Sequence, residues 1–140
     1  MNNDWYECRI RYEKTLDTGE RKKVTETYLV KAITVSDAES GIIRELTPLI
    51  EGEFIVNSVK EVSFKEMFIG EGEKFFLCRI VFTSFDERTG REKKSTHSIL
   101  VQADDFNNAC RRLRDGMTGT VSDYEIFSVA ESPILDLFGV

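Results

Sequence analysis

The sequence repeats itself, and this repeat constrains the fold more than any single motif. Residues 5–14 align with 75–84, residues 19–32 with 90–103, and residues 58–68 with 128–138. These blocks hold 14 identities in 35 aligned positions, where average composition gives roughly two by chance. A repeated unit buries its apolar surface together with its neighbour. We interpret the chain as a tandem duplication with halves at residues 1–70 and 71–140.

Each half begins with a pattern that predicts a β-hairpin. Tyr6, Cys8, Ile10 and Tyr12 alternate with polar residues, which is the period of a half-buried strand, and the residues at 76–82 repeat the alternation. A polar segment with a glycine follows, where a hairpin turn needs a positive φ. A second strand is predicted around residues 28–32 and again around 99–103.

A helix and a third strand complete each half. The spacing Ser36-Asp37-Ala38-Glu39 predicts a capping box before the first helix, and Asp104 or Asp105 is expected to cap the second. Apolar residues recur at helical spacing behind both caps. Third strands are predicted at residues 54–62 and 124–130, each followed by a short apolar tail.

The pattern predicts an α+β protein made of two β-β-α-β units, with an antiparallel or mixed sheet and two helices. A right-handed crossover favours the strand order third–first–second in each half. Neither half buries much by itself, so we expect residues 1–140 to form a single domain with a pseudo-twofold relation between the halves. The sequence leaves open whether the two sheets join at their edges or stack.

The composition is that of an ordinary globular protein with an acidic balance: 41% hydrophobic residues, 31% charged residues and a formal net charge of −6. Metal sites need clustered ligands. The three cysteines are far apart in the sequence, which contains only one histidine. We expect buried reduced thiols, no metal and no cofactor. No apolar run approaches the ~20 residues that cross a bilayer. The N-terminus lacks the order of a signal peptide, so a cytoplasmic location without a membrane partner is expected.

No catalytic constellation stands out. Asp17-Thr18-Gly19 is the triplet of aspartic proteases, which need two such aspartates, but the second half has Arg88-Thr89-Gly90 at the equivalent place. A hairpin turn explains the triplet better. His97 lies in a predicted strand with no activated nucleophile nearby in the sequence. We therefore expect a protein that is not an enzyme.

Paired basic hairpins favour a nucleic-acid-binding module, on single-stranded or double-stranded nucleic acid. The two hairpins carry equivalent basic runs, and aromatic residues begin both first strands, a combination typical of single-strand binding. Lysines at hairpin tips also protect sheet edges without any partner. The candidate nucleic-acid-binding residues are Arg21, Lys22, Lys23, Arg91, Lys93, Lys94, Arg111 and Arg112.

The apolar C-terminal tail favours a different function, a protein-interaction or self-associating adaptor. A free end that mixes acids with large apolar groups could dock on a protein partner. The tail aligns with residues 61–68 of the first half, however, which predicts that it packs as part of the repeat. The candidate partner-docking residues are Ile134, Leu135, Leu137 and Phe138.

Three segments resemble a known family. They are residues 6–14 (Tyr-Glu-Cys-Arg-Ile-Arg-Tyr-Glu-Lys), the strand start at residues 22–25, and the Gly-Met-Thr-Gly-Thr segment at residues 116–120. The chain resembles, over essentially its whole length, a family of uncharacterised proteins from Bacteroidetes bacteria and their phages and mobile elements. The resemblance implies a setting in these bacteria, their phages and mobile elements rather than an activity, and it supplies no catalytic residues to carry over.

Overall fold

The computed structural model describes residues 4–139 and divides into two compact units. Within that range, the first unit comprises residues 4–63 and 133–139, and the second comprises residues 64–132. The units do not coincide with the halves of the sequence, because each half ends in the unit of the other. The elements are, in chain order, β1 (Trp5–Thr15), β2 (Arg21–Lys31), α1 (Val35–Leu46), β3 (Phe54–Val62), β4 (Glu66–Phe68), β5 (Lys74–Phe85), β6 (Glu92–Ala103), α2 (Phe106–Gly116), β7 (Asp123–Ser132) and β8 (Ile134–Phe138).

The first unit is a four-stranded sheet with one helix on one face. Its strand order is β3-β1-β2-β8, in which β1 is antiparallel to both neighbours and β8 runs parallel to β2. We call the side on which the helix packs the helix face, and the other side the reverse face. The helix-face core consists of Tyr6, Cys8, Ile10, Tyr28, Val30, Ala38, Ile42 and Leu46.

The second unit has the equivalent construction. Its strand order is β4-β6-β5-β7, with β5 antiparallel to both neighbours and β4 parallel to β6. Its helix α2 covers the helix face in the same way. The core consists of Phe76, Cys78, Ile80, Ile99, Val101, Ala103, Ala109, Leu113 and Met117.

The α+β class and the order third–first–second are confirmed in both units. The three predicted strands pair only antiparallel, and the short fourth strand supplies the parallel pairing that makes each sheet mixed. A bulge also recurs: Asn57 is the extra residue on β3 and Phe127 the extra residue on β7. Descent from a tandem duplication, the pseudo-twofold and the single domain stay interpretations of the sequence.

The tails of the two halves are strands, and each lies in the unit of the other half. The tail of the first half is β4, which pairs with β6, and the tail of the second half is β8, which pairs with β2. The pairings are equivalent: Phe138 lies opposite Val30, and Phe68 lies opposite Val101. The prediction that the C-terminal tail packs is confirmed, while its exchange between units is a feature that the sequence does not predict.

The helix starts correct one detail of the sequence analysis. The cap of α1 is Thr34, whose hydroxyl accepts from the Asp37 backbone N–H at 3.1 Å, and not Ser36, which lies inside the helix. Asp105 caps α2 as predicted, accepting from the Asn108 N–H at 2.8 Å. The predicted capping box was therefore two residues too far along the chain.

All three cysteines are free thiols; Cys8 and Cys78 are buried, as expected, whereas Cys110 is half-buried. Within residues 4–139 no group of His, Cys, Asp and Glu side chains is arranged to hold a metal ion. No helix in the same range is long and apolar enough to cross a membrane.

Candidate nucleic-acid interface

Both hairpins extend beyond their sheets as two-stranded ribbons. The first residue of β3, Phe54, lies opposite Tyr12, so residues 13–23 run past the third strand. We call residues 13–23 the first arm. The first residue of β7, Asp123, lies opposite Thr83, and residues 84–93 form the second arm. Every residue of both arms is exposed.

Glycines at positive φ close the two hairpins. Gly19 has φ +90° and Gly90 has φ +70°, conformations that cost glycine little and other residues more. The Gly19 N–H donates to the Leu16 carbonyl, and the Gly90 N–H to the Asp86 carbonyl. The Asp17-Thr18-Gly19 triplet is therefore an exposed hairpin turn, as predicted.

The strand register places equivalent lysines on both faces of each arm. Lys22 lies opposite Lys14 and Lys93 opposite Ser84, which puts both on the helix side of the ribbon. Lys23 lies opposite Glu13, and Lys94 opposite Thr83 at the base of the second arm, on the reverse side. Each hairpin thus presents an exposed ammonium group on either side.

Acidic neighbours reduce the charge of the arms. Arg21 pairs with Glu13 at 3.6 Å, and Lys94 pairs with Glu92 at 3.6 Å. Exposed pairs of this kind stabilise by only about 0–1 kcal/mol, so the basic groups can exchange partners. The first arm carries four basic and three acidic residues, and the second carries three of each, with Arg91 at its turn. The arms by themselves are close to neutral.

The two candidate arginines of α2 differ in environment. Arg111 is exposed, whereas Arg112 is half-buried. The Arg112 guanidinium donates to the Gln102 carbonyl at 2.8 Å and also to the Glu71 carbonyl. These bonds tie the chain before β5 to the end of β6, so Arg112 has a structural role, and α2 offers less free charge than its sequence indicates.

The aromatic residues that begin the first strands are buried, which corrects one support for single-strand binding. Trp5 and Tyr6 are 8% and 6% exposed, and Phe75 and Phe76 are 3% and 2% exposed. Base stacking needs an accessible ring face. These four rings are core, as their alternation in the sequence also allowed.

The candidate docking residues of the tail are mostly engaged in the sheet. Ile134 is buried, and Leu137 and Phe138 are half-buried, with the Phe138 ring stacked on Tyr28 at 5.5 Å between centroids. Leu135 alone of the four is exposed, at 51%. The tail closes the edge of the first unit, and its apolar groups are not a free segment.

His97 has an ordinary place on a strand. It is half-buried and its ring meets the Phe82 ring edge-on, with centroids 5.5 Å apart. The equivalent residue of the first unit is Glu26, which accepts hydrogen bonds from the Tyr12 and Tyr28 hydroxyls at 3.0 and 2.9 Å. Burial, together with the bond to Glu26, raises the pKa of both tyrosines. The arrangement stabilises neutral phenols and offers no activated nucleophile.

Four basic residues that are not among the eight candidates lie on the same face as Lys23: Arg9 and Arg11 on β1, Lys31 on β2 and Lys60 on β3. Lys31 pairs opposite Trp5 and Lys60 opposite Glu7, and both lysines are exposed on the reverse face of the first unit. The alternation along the strands, combined with the hairpin register, is the signal that could have found them. Single basic residues far apart in the sequence do not form a visible run.

Comparison with known protein families identifies the family of the chain but no activity. The model of a family described as a domain of unknown function (DUF4494) matches residues 4–140. The chain belongs to this family. The expectation of an uncharacterised family is thereby confirmed. No curated protein and no solved structure matches the chain.

Proposed function

We propose that this member of the DUF4494 family is a non-catalytic module that binds nucleic acid through its two hairpin arms. The observation that carries the proposal is the projection of both hairpins as two-stranded ribbons, exposed on both sides, with equivalent lysines on each. A ribbon of two strands fits the major groove of a duplex, which is about 12 Å wide. Lysines on both sides of such a ribbon can reach the phosphates that flank the groove.

The acidic balance of the whole chain fits a module whose binding surface is local. A formal charge of −6 works against non-specific adhesion to phosphate backbones. Binding then depends on local sets of exposed cations, which are the lysines of the two hairpins and the basic residues of the sheet at their base. We propose that this activity is cytoplasmic and belongs to phage or mobile-element DNA metabolism; the resemblance contributes the setting of Bacteroidetes and their phages and mobile elements.

A protein-interaction adaptor is the alternative function, but the packing of the C-terminal tail argues against the docking segment that it needs. The adaptor proposal relied on the apolar tail as a free docking segment. Ile134 and Phe138 instead pack in the first unit, and only Leu135 presents a large exposed apolar side chain there. An adaptor would therefore need a surface other than the tail.

Fluorescence anisotropy with labelled single-stranded and double-stranded oligonucleotides tests the proposal. Counterion release makes binding through phosphates fall steeply between about 50 and 200 mM salt. We expect wild-type binding that weakens steeply over that range. Replacing Lys22, Lys23, Lys93 and Lys94 by Ala is expected to abolish it.

A charge-preserving control separates phosphate contact from damage to the hairpins. The same four lysines replaced by Arg should retain binding, because arginine also contacts phosphates. Absence of wild-type binding at the lower salt would reject the proposed function. Binding that is insensitive both to salt and to the Ala changes would reject the arms as the interface.

A further inference from the structure

The reverse faces of the two sheets differ sharply in charge. On β1, β2 and β3 the register places six basic residues on the reverse face of the first unit, against two acidic ones, Glu7 and Glu13. The formal balance of this face is +4, in a chain whose total is −6. We call the six basic residues, all of them exposed, the basic face: Arg9, Arg11, Arg21, Lys23, Lys31 and Lys60.

The equivalent face of the second unit is not basic. On β5, β6 and β7 it carries two basic residues, Arg79 and Lys94, against three acidic ones. Those acids are Glu92, Asp123 and Glu125, and all are exposed. The balance is −1. The equivalent strands thus carry a net positive charge in the first unit and a net negative charge in the second. The basic face continues into the first arm at Arg11 and Lys23, whereas Lys31 lies beyond the buried Leu29 on the same face.

The geometry of the basic face is that of a fixed array. Arg9 and Arg11 are two residues apart on one strand, a spacing of about 6.8 Å. Lys23 lies on the neighbouring strand opposite Glu13, diagonal to Arg11 at about 7–8 Å. Strands hold these positions with little freedom of the backbone. Arg9 is held in part by Glu7, at 3.6 Å, and Arg21 by Glu13, at 3.6 Å.

The kind of polyanion follows from what the face lacks. Single-stranded nucleic acid is commonly held by stacking its bases on aromatic rings. The aromatic residue of this face on these three strands, Trp5, is 8% exposed. A membrane surface is bound by several apolar groups that insert beside the cations. On these strands the face exposes a single large apolar side chain, Ile55, which is 67% exposed. A duplex needs neither, because its phosphates are dense, regular and contacted by charge alone.

We infer that the basic face is the phosphate-contacting surface for double-stranded nucleic acid, with the first arm entering a groove beside it. This inference rests on the proposed function and restricts it: the ligand is a duplex, and the first unit makes most of the contacts. Lys93 of the second arm and Lys94 at its base then add a smaller contribution.

Two triple variants with equal loss of charge test the inference. The face variant carries Arg11→Gln, Lys23→Gln and Lys60→Gln. The control carries Arg44→Gln, Lys74→Gln and Arg114→Gln, which are exposed cations outside both arms and off the basic face. Anisotropy is measured with labelled duplex and single strand across salt, after thermal melts establish equal folding. We expect the salt slope on duplex to fall by about three in the face variant, because each cation removed no longer neutralises a phosphate, and by less than one in the control.

A single pair of neighbouring changes gives a second test. Lys23→Glu reverses a charge on the basic face and Lys22→Glu reverses one on the opposite side of the same ribbon. We expect the first change to weaken duplex binding at least tenfold more than the second. Equal weakening by the two changes would overturn the inference.

The remaining outcomes separate this inference from the proposed function. Duplex binding that is lost with the four arm lysines but unchanged in the face variant leaves the function and overturns the basic face. Preference for single strands overturns the duplex. Wild-type protein that binds no oligonucleotide rejects both, and if it then sediments with phosphatidylserine vesicles, the partner of the face is an anionic membrane.

Discussion

The two units have the same strand pairing but differ in the side chains that pack around it. In the second unit, Phe68 lies against α2 at Gly116, where an added β-carbon would clash with the phenyl ring. In the first unit, Glu45 is the aligned residue of α1, and Phe138 stacks on the Tyr28 ring, inclined at 30°. The two equivalent tail strands are therefore held differently: β4 by contact of Phe68 with α2, and β8 by stacking of Phe138 on Tyr28.

The neighbouring positions change in step. The first unit has the hydrogen-bonded set Tyr12, Glu26 and Tyr28 where the second has Phe82, His97 and Ile99. The pairing register, the bulge and the parallel tail strand are the same in both. The strand pairing is therefore common to both units, whereas the side chains near the tail strands and the charges of the reverse faces differ between them.

The largest expected effects come from the two tail phenylalanines. Phe138→Ala and Phe68→Ala each remove a half-buried ring from a core cluster, which we expect to cost about 2–3 kcal/mol of unfolding free energy. Chemical denaturation measures the cost. Hydrogen exchange then locates it: Phe138→Ala should expose amides of β2, and Phe68→Ala those of β6. The opposite assignment would contradict the exchange of tail strands.

Gly116 provides the next test of the difference at the tail. Gly116→Ala places a β-carbon against the Phe68 ring, and we expect a loss of about 1–3 kcal/mol from overpacking. Glu45→Ala at the aligned position of α1 should change stability by less than about 0.5 kcal/mol. A double-mutant cycle with Phe68→Ala is the measurement. If Gly116→Ala costs the same without the ring, the contact is not its cause.

A smaller effect is expected at Glu26. Glu26→Ala leaves two phenol hydroxyls without their acceptor and should cost about 1–2 kcal/mol. His97→Ala, its counterpart, removes a ring-edge contact and should cost under about 1 kcal/mol. Denaturation midpoints of the two variants compare them directly. Equal losses would show that the polar set gives the first unit no particular stability.

An effect that the two units should share is a loss of stability at high pH. Burial raises the pKa of the Cys8 thiol, with Glu7 and Glu39 adding, from 9.0 to about 11. Burial, with a smaller contribution from the charge of the Cys110 thiolate, raises the pKa of the Cys78 thiol from 9.0 to about 11 as well. The folded state favours the neutral thiol, so this contribution is complete below pH 9 and is lost as the pH rises from about 9 to 11. Urea midpoints across that range should fall less in Cys8→Ala and Cys78→Ala than in wild type, and an unchanged fall would contradict the assignment.

Local sequence patterns predict most of the frame. Alternation along β1, β2, β5 and β6, the glycines of the hairpin turns and the apolar stripes of the helices are all local signals, and the structure shows each of these elements. The shift of the first cap from Ser36 to Thr34 reflects two hydroxyl residues that both suit an N-terminus. Local pattern does not rank them.

The tail strands and the basic face depend on long-range pairing. β4 is a strand of 3 residues with a partner some 30 residues away in the chain, so no periodicity marks it. Lys60 joins the face only because β3 pairs with β1 in a register set across a bulge. Arg112 looks like free charge in the sequence because its carbonyl partners come from two other segments. Such placements follow from tertiary structure alone.

The central claim is that the first unit, through its basic face, binds a nucleic-acid duplex. An NMR titration of labelled protein with a short duplex tests it most directly, because each backbone amide reports separately. The account predicts shifts concentrated at residues 9–11, 21–25 and 58–60, with little change at the equivalent residues 79–81, 92–96 and 128–130. Equal shifts in both units, or none in either, would contradict it.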